Sequence, residues 1–177
     1  MLYARRISED GWFGKSDLDS DSLSELGTTN HQLSVWKIAD ANSVVDVDRI
    51  ALALALTKGK IDEFYMVLLN PAEIEMKYRW VVAFVPQEGD TRYKQLKDEH
   101  TNFVVETFWE QGYLAEYIHK LLDDEQNYRY YDANTLKKMV YDAVKNGDVL
   151  WDDIKKDGAW KKAVQEMELE LGPIFRK

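Results

Sequence analysis

The sequence predicts an α+β fold: a small mixed sheet with one packed helix, followed by a C-terminal helical subdomain. Three observations carry this. β-rich apolar runs are confined to the stretch before Asp90. One Ala/Leu-rich helical run interrupts them. After Asp90, helical spacing of apolar residues dominates. The expected division is a sheet-containing part over 1–90 and a mostly helical part over 91–177, together one compact unit.

Taken in order, Leu2 to Ile7 reads as a strand, with Leu2, Ala4 and Arg6 on one face and Tyr3, Arg5 and Ile7 on the other. The following stretch to Thr29 is rich in Gly, Ser and Asp and is long for a loop, so a short helix is expected around Ser20 to Leu26. Leu33 to Ile38 alternates again, with Leu33, Val35 and Lys37 opposite Ser34, Trp36 and Ile38. Arg49 to Lys58 is apolar nearly all round and should be a buried helix, capped by Asp46 or Asp48 and closed by Gly59. A crossover through it would make the strands on either side run parallel.

Phe64 to Leu69 reads as a central strand ended by Asn70-Pro71. Arg79 to Val85 reads similarly. Between them, Pro71 to Tyr78 fits either a short helix or a turn. Helices are then expected over Thr107 to Leu122, Asn134 to Lys145, Asp148 to Lys156 and Ala159 to Leu171. Trp36, Trp80, Trp109, Trp151 and Trp160 fall in periodic segments and are expected in the core.

Composition excludes several chemistries. The chain has no cysteine, which removes disulfides, Cys-ligated zinc and a Cys nucleophile. It shows no signal-peptide pattern and no run near membrane-spanning length, so a soluble cytoplasmic protein without membrane attachment is expected. The formal net charge of −9 argues against direct nucleic-acid binding. The densest basic stretch, Lys155, Lys156, Lys161 and Lys162, is interleaved with acids and reads as a solvated helix face.

No motif assigns a reaction. Gly59-Lys60 follows a helix rather than opening one, so it is not a phosphate loop. Asp17-Leu-Asp-Ser-Asp21 opens like a calcium loop, but Ser22 and Thr28 stand where Gly and Glu are required. Glu116-Tyr-Ile-His119 occurs once, where a di-iron bundle needs two copies. Asp98-Glu99-His100 reads as a solvated loop. No cofactor and no metal is expected.

Three functional expectations remain, one of them a purely structural subunit of a larger assembly, which the sequence does not separate from an interaction module. The first is a non-enzymatic interaction module, such as an inhibitor, adaptor or immunity-type partner. Its contacts would be Trp12 and Phe13 as loop anchors and Asp17, Asp19 and Asp21 as an acidic face for a protein partner of basic character. The alternative for Trp12 and Phe13 is a lid folded back on the sheet. The second expectation is an enzyme handling a nucleotide or phosphate-containing substrate, with Arg5, Arg6, Tyr3 and His31 in one pocket. Tyr128, Tyr130 and Tyr131 around Arg129 are read as packing between the two parts.

Overall fold

The chain runs through β1 (Leu2–Ile7), α1 (Ser20–Glu25), β2 (Gln32–Ile38), α2 (Val44–Ala55), β3 (Phe64–Leu69), α3 (Pro71–Tyr78) and β4 (Phe84–Pro86). It continues through β5 (His100–Val104), α4 (Phe108–Leu121), β6 (Tyr128–Tyr131), α5 (Ala133–Asn146), α6 (Trp151–Ile154) and α7 (Gly158–Leu171). This is a computed structural model, and it describes residues 1–14, 17–154 and 156–174. Lys15 of the acidic segment and Lys155 of the mixed-charge face lie outside the described residues.

The six strands form one sheet in the order β4-β5-β2-β1-β3-β6. Every pairing is antiparallel, so the sheet is not mixed as the sequence suggested. The crossover from β2 through α2 to β3 exists, and those two strands do run the same way. They are not neighbours, because β1 inserts between them, antiparallel to both. The stretch after Asp90 also supplies β5 and β6, which pair with β2 and β3 in the same sheet.

Strand alternation sends residues to two cores. Ala4, Trp36, Ile38, Met66 and Leu68 pack with α2, with Leu136 and Val140 of α5, and with Trp160 of α7. Tyr3, Ile7, Leu33, Val35, Val67, Leu69 and Phe103 pack on the other face with Trp12, Ile74, Trp80 and the α4 residues Leu114 and Ile118. The predicted faces of β1 and β2 are the observed ones.

Several local expectations need correction. α2 starts earlier than expected: Ser43 is its N-cap, accepting from the Asp46 amide, and the helix ends at Ala55, before Gly59. Asp48 instead accepts from the Tyr131 hydroxyl at 2.8 Å. The segment 71–78 is a helix, with Pro71 in its first turn and Asn70 capping it. Arg79 then takes a left-handed conformation (φ 57°), so the chain re-enters the sheet only at Phe84. Trp80 and Val82 are buried beside the sheet without joining it. Trp109 is not core: it is 77% exposed, and its neighbour Phe108 is 91% exposed.

Candidate functional site

Two regions gather the residues that the sequence marked. The first is a cleft of about 440 Å³ where β1 and β2 diverge, bordered by Arg5, Arg6, Ser34, Trp36, His100 and Asn102 and by the loop over 87–90. The β1–β2 ladder pairs Leu2 with Ile38, Tyr3 with Lys37 and Ala4 with Trp36, and stops there. Arg5 fills the gap beyond. Its Nη1 donates to the Ser34 carbonyl and its Nη2 to the Glu25 carbonyl, both at 3.0 Å. Its Nε is buried without a partner. Burial pulls the Arg5 guanidinium down to about 10, against the opposing pull of Glu25. Arg6 is also lowered by burial, with Asp62 opposing, and its guanidinium sits over the Phe64 ring.

Across this cleft, the Ser34 hydroxyl lies 2.7 Å from His100 Nε2, and His100 Nδ1 lies 2.9 Å from the Gln87 carbonyl. Ser34 pairs with Asn102 and Trp36 with His100 on β5, so Ser34 and His100 are diagonal neighbours on one face. Asn102 Nδ2 donates to both Gln32 and Gln87. The 87–90 loop lies close on Trp36: a Cβ at Gly89 would come within 2.3 Å of the indole, so only glycine fits.

The pocket expected from sequence is therefore only partly assembled. Arg5 and Arg6 border it. Tyr3 does not: its ring packs between Phe84 and Phe103, whereas Arg5, on the same side of β1, reaches the cleft through the gap where the ladder ends. His31 lies elsewhere, at a left-handed turn (φ 58°) ahead of β2. The histidine in the cleft is His100, which the sequence placed in a solvated loop. Beyond Arg5 and Arg6, the sequence signal for this site is the isolated polar Ser34, between Leu33 and Val35. Its partner lies 66 residues away.

The second region is the 8–28 segment and the start of α4. Trp12 is not an exposed anchor. It is 2% exposed, and its indole N–H donates to Glu25 at 2.8 Å. Glu25 also accepts from the Ser8 amide and hydroxyl, so this carboxylate ties the segment to β1 instead of facing a partner. Phe13 is half-buried against Tyr65 and Tyr128. Asp19 caps α1 through the amides of Asp21 and Ser22. Asp17 and Asp21 are exposed.

Among the described residues, the most exposed aromatics come from α4. α1 packs against α4, and Gln111 Nε2 donates to the Leu23 carbonyl. Thr107 and Glu110 form a reciprocal capping box, with Glu110 also accepting from the Glu106 amide at 2.7 Å. This fixes the turn that carries Phe108 and Trp109. Beside them lies a hollow of about 580 Å³ lined by Leu26, His31, Val105, Phe108 and Trp109. His31 thus lies next to the aromatic pair, not next to the arginines.

A larger cavity, about 690 Å³, opens between α2, α3 and β6. Its polar groups satisfy one another. Tyr131 donates to Asp48, Tyr117 and Asn70 donate to Glu73, and Arg129 Nη1 donates to the carbonyls of Glu125, Gln126 and Tyr128. Among the described residues, no group of three or more His, Asp or Glu is placed to hold a metal ion, and no helix is long and apolar enough to cross a membrane. Comparison with family models, curated proteins and solved structures finds no match, so function rests on the geometry.

Proposed function

We propose that this protein is a protein-interaction module that docks a basic partner through the surface where α1 meets α4, acting in the cytoplasm as an inhibitor, adaptor or immunity-type partner. One observation carries the reading: Phe108 and Trp109 are 91% and 77% exposed, side by side on a turn held by a capping box. Large aromatics left in water on a rigid element favour association, because their area is buried on binding at little entropic cost. The acidic residues named from sequence keep a role as the charged surroundings. Asp17 and Asp21 are exposed near α1, and Glu106 is exposed beside Phe108. With a net charge of −9, such a surface selects and steers a basic partner.

The phosphate-binding alternative has less support. Arg5 spends two of its N–H groups on backbone carbonyls, and Arg6 stands near Asp62. A photo-cross-linking residue at position 109 tests the docking reading. In lysate it should yield a partner adduct that weakens as salt rises and disappears when Phe108 is changed to Ser. A salt-insensitive adduct, or an adduct with a second copy of this acidic chain alone, would overturn it.

A further inference from the structure

We infer that the cleft at the β1–β2 divergence is an acyl-transfer site for esters of small carboxylic acids, with Ser34 as nucleophile and His100 as its base. The inference is independent of the docking surface. A backbone carbonyl only accepts hydrogen bonds, so His100 Nδ1, 2.9 Å from the Gln87 oxygen, must carry the proton. Nε2 is then the lone-pair nitrogen, and Ser34, 2.7 Å away, must donate to it. This is an activated hydroxyl with its base oriented by a third group, the arrangement that nucleophilic catalysis requires. A main-chain carbonyl stands where other such sites use a carboxylate.

The surroundings suit the chemistry. Ser34 is exposed to the cleft, so an ester and then water can reach it. A volume of about 440 Å³ accommodates a small ligand. Arg6 borders the cleft, paired with Asp62 at 3.8 Å, and places a positive charge in its wall, which favours a developing oxyanion. Gly89 holds the loop onto Trp36 and so fixes the Gln87 carbonyl against His100.

In the step, Ser34 Oγ bonds to the ester carbonyl carbon as its proton passes to His100 Nε2, and the carbonyl electron pair moves onto oxygen. When that pair returns, the bond to the leaving oxygen breaks, and this oxygen takes the proton from His100. Water repeats the sequence on the acyl-serine and releases the carboxylic acid. The sum is ester plus water giving acid plus alcohol.

The test uses p-nitrophenyl acetate on the full chain, with mass spectrometry of the peptide containing Ser34. The expected result is a burst of p-nitrophenolate stoichiometric with protein and an acetyl group on Ser34. Ser34→Ala should abolish the adduct, and His100→Ala should slow it by about 100-fold or more. Added imidazole should restore labelling in His100→Ala, which a merely structural hydrogen bond between β2 and β5 would not allow. His100→Gln keeps a side chain able to bond both neighbours and serves if the alanine variant fails to fold; it should be equally slow. Absence of an adduct on Ser34, or labelling at the same rate in the His100 variants, would overturn the proposal.

Discussion

The two faces of the sheet are covered by different means. The face under α2 and α5 is sealed by long helices whose apolar stripes meet Ala4, Trp36 and Met66. The opposite face is sealed partly by α4 and partly by the segment around Trp12 and Leu26, where the described residues form one short helix. Helical packing covers the first by apolar area. On the second, a single carboxylate, Glu25, gathers Ser8 and Trp12, and its backbone oxygen receives Arg5. An acidic, aromatic loop can thus be a structural cover, while the two most exposed aromatics among the described residues, Phe108 and Trp109, sit on a regular helix.

This contrast can be broken at its strongest point first. Trp12→Ala should destabilise the protein by about 3–5 kcal/mol, the cost of emptying a buried aromatic site, as read from chemical denaturation. A change below about 1 kcal/mol would return Trp12 to the surface. Glu25→Ala should cost about 2–3 kcal/mol, because a Ser8 amide and the Trp12 indole lose their acceptor together. Glu25→Gln should recover part of that loss, since one oxygen remains.

On the other side of the comparison, Phe108→Ser with Trp109→Ser should leave stability within about 0.5 kcal/mol, as for other exposed sites. Coincident loss of stability and binding in that variant would mean that the pair is structural.

The smallest effect concerns pH. Asp132 caps α5 by accepting from Asn134 and Thr135, and these hydrogen bonds hold its carboxyl below the usual aspartate range. A lowered folded pKa means that the unfolded chain binds the proton first on acidification. The contribution is therefore complete above the ordinary aspartate range and is lost as pH falls through the folded value. Protection of the amides at the start of α5, taken relative to the intrinsic exchange rate at each pH, should fall on acidification in wild type and stay constant in Asp132→Ala.

Much of the fold was legible because it rests on local periodicity. β1, β2, β3 and the helices α2, α4, α5 and α7 follow apolar spacing and caps, and the two faces of β2 came out as read. β5 and β6 were missed because they are short and polar: His100–Val104 and Tyr128–Tyr131 become strands only by pairing with β2 and β3. The insertion of β1 between β2 and β3 is a long-range choice with no local signal. The site was legible in part. Arg5 and Arg6 were marked by their place on β1, but which histidine meets them depends on the β2–β5 register. Trp109 misled for a related reason: helical spacing gives a stripe, while the register of that stripe against the sheet decides which end emerges into solvent.

The most direct measurement compares photo-cross-linking from position 109 with that from position 76, where Met76 is 71% exposed on α3 and remote in sequence from the acidic segment. Exposure is similar at the two sites, so chance encounters should label both. The docking surface predicts a partner adduct from 109 that fades between low and high salt, with nothing comparable from 76. Equal labelling from both positions, or none from 109, would contradict it.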